Sequence, residues 1–160
     1  MSRATSVLIG CVLVAAGCVA TGPTRTRAAQ EVKDDARIEL AALGSDWWRL
    51  VAWSADEAQP PTPQITLRYA GGHFVGRSGC NRYTAPVEQR QGHGAIAVGA
   101  IAVTRMMCRP PVDAIERRFL AALGRARGLE RRDDRLSIVT SDEDGRAMTL
   151  GFVPESHPPD

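Results

Sequence analysis

Two cysteines, Cys80 and Cys108, constrain the fold of this chain more than any other feature of its sequence. They are the only cysteines outside an N-terminal leader that has the properties of an export signal and ends at Cys18. In an exported protein, an even pair of cysteines is expected to form a disulfide. Closing a loop of about 29 residues stabilises a domain by roughly 3–4 kcal/mol in the chain-entropy description. The sequence therefore predicts one structural disulfide in a small domain.

The N-terminus has the pattern of a bacterial lipoprotein leader. Arg3 precedes an apolar run of about 11 residues, which suits a signal peptide and is too short to span a bilayer. Ala15-Ala16-Gly17-Cys18 resembles a lipobox, in which small residues precede a cysteine whose thiol is diacylated. The alternative is ordinary secretion with cleavage near residues 28–29.

These features predict three regions. Residues 1–17 are a lipoprotein signal peptide, residues 18–44 are a lipid-anchored linker that is partly helical, and residues 45–155 form the domain. Cys18 is the predicted lipidation site. Val19 follows it rather than Asp, which is typical of sorting to the outer membrane, so we expect a lipoprotein that faces the periplasm.

The charge balance argues against a nucleic-acid partner. The formal net charge is +2 in 160 residues, whereas nucleic-acid binding needs a concentrated basic field. Hydrophobic residues make up 44% of the chain, which is enough for one core. The membrane, through the anchor, and a hydrophobic ligand or another envelope protein remain as the expected partners.

Short apolar patterns predict strands through most of the domain; those after the first alternate, whereas residues 47–53 are apolar on both faces. They lie at residues 47–53, 64–69, 73–76, 83–89 and 95–98, with two more around 136–138 and 148–152. One helix is expected between Pro110-Pro111 and Gly128, with an apolar stripe of Val112, Ile115, Phe119 and Leu123. The predicted fold class is α+β: a curved antiparallel sheet, forming a partly open barrel, packed against one helix.

The sequence offers no catalytic or metal constellation. His73, His93 and His157 lack metal-ligand spacing. Residues 92–97 formally fit a dinucleotide-binding fingerprint, but they are better explained as a glycine turn between strands. Residues 142–145 are predicted to be a hairpin turn rather than a calcium loop, and the arginine-rich residues 125–135 a solvated face. We expect no enzyme activity, no cofactor and no metal.

One further candidate site is a ligand groove lined by aromatic and methionine side chains. Aromatic and thioether side chains are suited to an acyl chain or an extended peptide. The candidate residues are Trp47, Trp48, Trp53, Met106 and Met107. For the tryptophans, a place in the core is the simpler interpretation.

The order of several motifs resembles the META-domain family, particularly HslJ-like heat-shock lipoproteins. The residues that carry the resemblance are Trp48, Leu50, Gly76, Gly79, Cys80, Asn81, Arg82, Tyr83, Thr104, Arg105, Met106, Met107, Cys108, Glu116, Phe119, Leu123, Leu136, Leu150 and Phe152. The resemblance implies a small envelope domain with an antiparallel sheet, one helix and a disulfide between the two cysteines. It brings no catalytic residues with it.

Three hypotheses for function follow. The first is a stress-related binding or chaperone-like module of the envelope, without catalytic activity. The second is a protease inhibitor that presents residues 76–83 as a disulfide-stiffened loop. The third is a redox protein that uses Cys80 and Cys108 as a dithiol pair, although they lack the Cys-x-x-Cys spacing that lowers a thiol pKa.

Overall fold

The structure is a computed structural model of the chain, and it describes residues 37–54, 57–59 and 62–156. The predicted leader, the predicted lipidation site Cys18 and the predicted linker up to residue 36 lie outside the described residues. His157 also lies outside them.

Antiparallel strands make up most of the described chain, as the alternating patterns predict. The strands are β1 (Trp47–Ala52), β2 (Thr66–Ala70), β3 (His73–Arg77), β4 (Arg82–Gln89), β5 (Ile96–Val98), β6 (Ala102–Val103), β7 (Gly128–Arg132), β8 (Arg135–Ser141) and β9 (Ala147–Glu155). One α-helix, α1 (Val112–Gly124), lies between β6 and β7, and a short 3-10 helix, Leu40–Leu43, precedes β1.

The strands form one sheet that curls until its ends meet. The strand order is β5-β4-β3-β2-β1-β9-β8-β7, and β6 pairs with β4. The terminal strands β5 and β7 meet through a bridge between Ala95 and Gly128. There the Leu129 N–H donates to the Gly94 carbonyl at 2.8 Å and the Ile96 N–H donates to the Arg127 carbonyl at 3.1 Å. The result is a nearly closed antiparallel barrel with one helix, which confirms the predicted fold class.

The interior of the barrel is filled by side chains. Strand β4 shows the period-two pattern clearly, with alternate residues exposed and buried from Arg82 to Glu88. The largest fully buried side chains are Trp48, Phe74, Phe119, Phe152, Leu43, Leu50, Ile65, Leu67, Leu123, Leu129, Leu136 and Ile138. Packing of this kind supplies the main driving force for folding and leaves the barrel without a lumen among these residues.

Helix α1 and the 3-10 helix meet β4 near opposite ends of that strand. Phe119 of α1 packs edge-to-face on Tyr83, with the ring centroids 5.4 Å apart. The Leu40 N–H donates to the Gln89 side-chain carbonyl at 3.0 Å, at the far end of β4. Leu40 and Leu43 are buried, so residues that the sequence assigned to the linker pack against the barrel.

The sequence predictions differ from the structure after α1. The helix ends at Gly124 rather than Gly128, and Gly128 begins strand β7. Strand β7 was not predicted from the sequence: Leu129 is fully buried, and the strand pairs along its length with β8. The arginines at 125, 127, 132 and 135 are exposed, as the prediction of a solvated face has it. One inward-facing Leu among arginines gives too weak an alternation to be recognised.

A glycine allows β2 and β3 to approach closely beside the core. Gly76 lies opposite Tyr83 in the β3–β4 register, and a Cβ on Gly76 would lie 2.1 Å from the Thr66 carbonyl oxygen. The buried Tyr83 hydroxyl donates to that same carbonyl at 2.9 Å. Burial raises the pKa of the Tyr83 phenol well above its ordinary value of 10.0, so the hydroxyl keeps its proton and stays a donor.

We expect Gly76→Ala to destabilise the domain by about 1–3 kcal/mol, because the added methyl group has to displace backbone. Gly124→Ala is the matched control. Its Cβ would meet only Ile101 Cδ1 at 3.8 Å, and alanine favours a helix, so this variant is expected to be neutral or slightly stabilised. Urea unfolding of the two variants measures the difference, and equal free energies of unfolding would contradict the close approach.

Candidate functional site

The predicted disulfide between Cys80 and Cys108 is present. The two Cα atoms lie 6.1 Å apart, within the usual range for a bridged pair. The bond joins the segment after β3 to the segment between β6 and α1. Both sulfur atoms are therefore committed to structure in this form of the protein.

Asn81, the residue after the first cysteine, connects the two family motifs through its side chain. Its Oδ1 accepts hydrogen bonds from the Thr104 hydroxyl at 2.9 Å and from the Met106 N–H at 2.7 Å. Its Nδ2 donates to Glu116 Oε1 at 2.7 Å and approaches Cys108 Sγ at 3.3 Å. Asn81 is only 4% exposed, so these contacts replace water for a buried amide.

Glu116 of α1 closes the network from the helix side. Its Oε2 accepts hydrogen bonds from the Ser78 hydroxyl at 2.6 Å and from the Asn81 N–H at 2.8 Å. Burial on its own raises the pKa of the Glu116 carboxyl. Hydrogen bonds from the Ser78 hydroxyl, the Asn81 side chain, and the Asn81 and Cys80 backbone oppose it, and the net pKa lies below its ordinary value of 4.5.

These contacts give the site a structural character. The Glu116 carboxylate is buried, ionised and already occupied by donors on both oxygens. A carboxylate in that state is poorly placed to take a proton from a substrate or to bind a cation. The network holds α1, the turn before β4 and the segment after β6 in one arrangement.

Gly79 and Arg105 complete the motif residues that the sequence singled out. Gly79 has a backbone φ of +118°, a conformation that other residues rarely adopt, and a Cβ there would lie 3.3 Å from Pro63 Cγ. Arg105 is exposed. In these motifs Gly79 therefore permits a turn, Asn81 makes buried hydrogen bonds, and Arg105 faces the solvent.

The tryptophans of the candidate groove do not form an open ligand platform. Trp48 and Trp53 are 1% and 3% exposed, and Trp47 is half-buried. A guanidinium group lies over each indole ring: Arg68 over Trp47 at 5.6 Å, Arg118 over Trp53 at 4.4 Å and Arg131 over Trp48 at 5.2 Å from the ring centroid. The core interpretation fits Trp48 and Trp53.

The two methionines are placed differently. Met106 and Met107 are 60% and 99% exposed, although both are large apolar side chains. They lie in residues 104–109, which we name the Met loop, with exposed Arg105 and Arg109 on either side of the pair. The loop backbone is held by the Met106 N–H bond to Asn81 and by the disulfide at Cys108.

The other motifs behave as turns in the described residues. Gly92 and Gly94 have positive φ values and precede β5, as expected of a glycine turn. Asp142 Oδ1 accepts a hydrogen bond from the Arg146 N–H at 2.8 Å, which closes the β8–β9 hairpin. Within the described residues, no group of three or more His, Cys, Asp or Glu side chains is arranged to hold a metal ion. None of the helices described there is long and apolar enough to cross a membrane.

Sequence reasoning missed the roles of Glu116 and Gly76. Glu116 stands between Ile115 and two arginines, where a charged residue ordinarily indicates a solvent-facing position. Its spacing of three residues before Phe119 was the available signal, since i and i+3 share one face of a helix. Gly76 was part of the resemblance, but its steric role needs the position of the Thr66 carbonyl.

We expect Glu116→Gln to lower the stability of the domain at about pH 7, because one carboxylate oxygen is replaced by an amide that faces donors. The free energy of unfolding of the wild type should fall as the pH drops below 4.5 and through the lower folded-state pKa, since protonation removes the favoured ionised form. The difference between the wild type and Glu116→Gln should shrink over the same range. Glu143→Gln, in the exposed β8–β9 turn, is the control and should change little.

Replacing both cysteines, as Cys80→Ala with Cys108→Ala, should lower the free energy of unfolding by about 3–4 kcal/mol, because the unfolded chain regains the entropy of an open loop. The same loss is expected when the wild type is unfolded in the presence of a reductant. An unchanged denaturation midpoint in both experiments would show that the disulfide contributes nothing to stability.

Comparison with known proteins assigns the domain to a family. An NMR structure of a protein from Burkholderia xenovorans is 28% identical, with a TM-score of 0.54, over 76% of this chain and 91% of that chain. A second NMR structure is 18% identical, with a TM-score of 0.53, over 72% and 94%, and at that identity it shows the fold alone. No curated protein matches. A family model described as META domain matches residues 41–152, so the chain belongs to the META domain family.

Proposed function

We propose that this protein is a non-enzymatic binding module of the cell envelope, anchored by a lipid on Cys18 and facing the periplasm from the outer membrane. In this proposal the Met loop contacts apolar segments of other envelope polypeptides in a chaperone-like manner. The resemblance to HslJ-like heat-shock lipoproteins supports a stress-related role.

The exposure of Met107 carries the proposal. A side chain of this size that is 99% exposed buries nothing in its own domain, although the chain buries twelve large side chains almost completely elsewhere. Its neighbour Met106 is also exposed, so the apolar surface of the loop is a pair rather than a single residue. Methionine is flexible and polarisable, and it is over-used at surfaces that accept varied partners.

The way in which the loop is held favours binding. The disulfide at Cys108 and the hydrogen bond from the Met106 N–H to Asn81 fix the backbone on either side of Met107. A loop that is already ordered loses less conformational entropy when it meets a partner. The two side chains keep their own freedom, which suits contacts with segments of different sequence.

Because the interior of the barrel is filled, the proposed contact lies on the surface of the domain. Phe74, Phe119 and Phe152 each have 0% exposure, and they occupy the interior that a buried ligand would need. An acyl chain or peptide has to compete with this packing to enter, whereas the Met loop already faces solvent. The exposed arginines at 105 and 109 add cations beside the apolar pair, which favours segments that also carry acidic residues.

Burial disfavours the alternative of a protease inhibitor that presents residues 76–83. Ser78 and Asn81 are 0% and 4% exposed, and both donate hydrogen bonds to Glu116. A protease would have to break these contacts to reach the segment. An inhibitor needs its reactive loop to be presented to the enzyme, whereas three of the eight residues here, Ser78, Asn81 and Tyr83, are buried.

The test uses the full-length protein and citrate synthase diluted out of denaturant, with aggregation followed by light scattering. We expect the wild type to suppress aggregation and Met106→Ser with Met107→Ser to need at least about tenfold more protein for the same effect, because burying even one methionine contributes about 1.5–3 kcal/mol. Met106→Leu with Met107→Leu is the control and should retain suppression. A wild type that leaves aggregation unchanged would refute the proposal.

A further inference from the structure

The sulfur atoms of the described residues differ sharply in their access to solvent. Cys80 and Cys108 are joined in the disulfide, so neither supplies a thiolate. Met148 of β9 is partly buried and packs against the core. Met106 and Met107 are 60% and 99% exposed. The reactive sulfur of this part of the chain is therefore concentrated in two adjacent residues of the Met loop.

Exposure decides how fast a thioether is oxidised, because the oxidant has to reach the sulfur lone pair. At Met107 it does so with no opening of the fold. At Met148 the neighbouring core restricts its approach. The exposed Arg105 and Arg109 also place cations beside the pair, which raises the local concentration of an anionic oxidant such as hypochlorite.

We propose that Met106 and Met107 are an oxidation site, modified to methionine sulfoxide by peroxides or hypochlorite that enter the envelope. In the reaction with hydrogen peroxide, a sulfur lone pair attacks one oxygen, the O–O bond breaks, and water leaves after proton transfer. With hypochlorite the sulfur takes the oxygen and chloride leaves. In both cases each thioether loses two electrons and gains one oxygen atom.

The structure makes this modification compatible with the folded state. The hydrogen bond from residue 106 to Asn81 uses the backbone N–H rather than the side chain, and the disulfide does not involve the thioethers. A sulfoxide at either position adds polarity where the side chain already faces water. Stability should therefore be retained while the apolar surface of the Met loop is lost.

The consequence for binding rests on the proposed function. If the Met loop contacts apolar segments, its sulfoxide form should bind them more weakly, since oxidation makes a flexible apolar side chain polar. Oxidation of the pair then releases such segments under oxidative conditions. Methionine sulfoxide reductases reverse the change chemically.

The experiment treats the full-length protein with hydrogen peroxide and, separately, with hypochlorite. Peptide mass spectrometry then follows the gain of one oxygen atom at each methionine with time. We expect Met107 to be oxidised first, Met106 next and Met148 several-fold more slowly, with an unchanged urea midpoint once the pair is oxidised. Oxidation of Met148 at the same rate as the pair would overturn the proposal, and so would loss of the fold when only the pair is oxidised.

A second arm separates this inference from the proposed function. Oxidised wild type is compared with oxidised Met106→Leu/Met107→Leu, which keeps the apolar surface but carries no sulfur in the loop, in the citrate synthase assay. We expect suppression to fall in the wild type and to persist in the leucine variant. If untreated wild type does not suppress aggregation, the proposed function fails, and the oxidation site is decided by the mass spectra alone. If it does suppress and oxidation changes nothing, the link between the two is wrong.

Discussion

The contact between Asn81 and the Glu116 carboxylate is the interaction on which the arrangement of this domain depends. Burying the Glu116 carboxylate costs free energy unless its oxygens accept hydrogen bonds in place of water. Here the donors come from Ser78, Cys80 and Asn81. The Asn81 side-chain oxygen in turn accepts a hydrogen bond from the Met106 backbone N–H. A single buried carboxylate therefore positions the helix, the turn before β4 and the Met loop together. Conformational specificity is the best explanation for a charged group at this place.

The sequence predicted most of the fold because period-two patterns and turn residues are local signals. Strands β2, β3 and β4 follow directly from alternation and from the Gly71-Gly72 turn between the first two. Strand β7 was missed because four of its five residues are glycine or charged. Closure of the barrel was also beyond the sequence, since it depends on backbone hydrogen bonds between residues 94–96 and 127–129.

The candidate site was predictable only in part. The cysteine count predicted the disulfide, and the motif order predicted the family. Glu116, which binds the Asn81 side chain, lies 35 residues after it on another element, and the one local sign of its burial is its spacing of three residues before Phe119. The tryptophans and methionines were grouped by chemical type, whereas the structure separates them, with Trp48 and Trp53 inside and Met106 and Met107 outside.

The meeting of β5 and β7 has a consequence for how this domain meets other chains. In an open sheet, the outermost strands expose unpaired amide and carbonyl groups to which an extended polypeptide adds as a further strand. Here the backbone of residues 94–96 bonds to that of residues 127–129, and Arg37 and Ile38 lie beside Glu130 and Leu129 on the same edge of β7. An extended polypeptide therefore has less free backbone to pair with at the edges of β5 and β7. Association of two copies of the domain through the edges of β5 and β7 is disfavoured for the same reason.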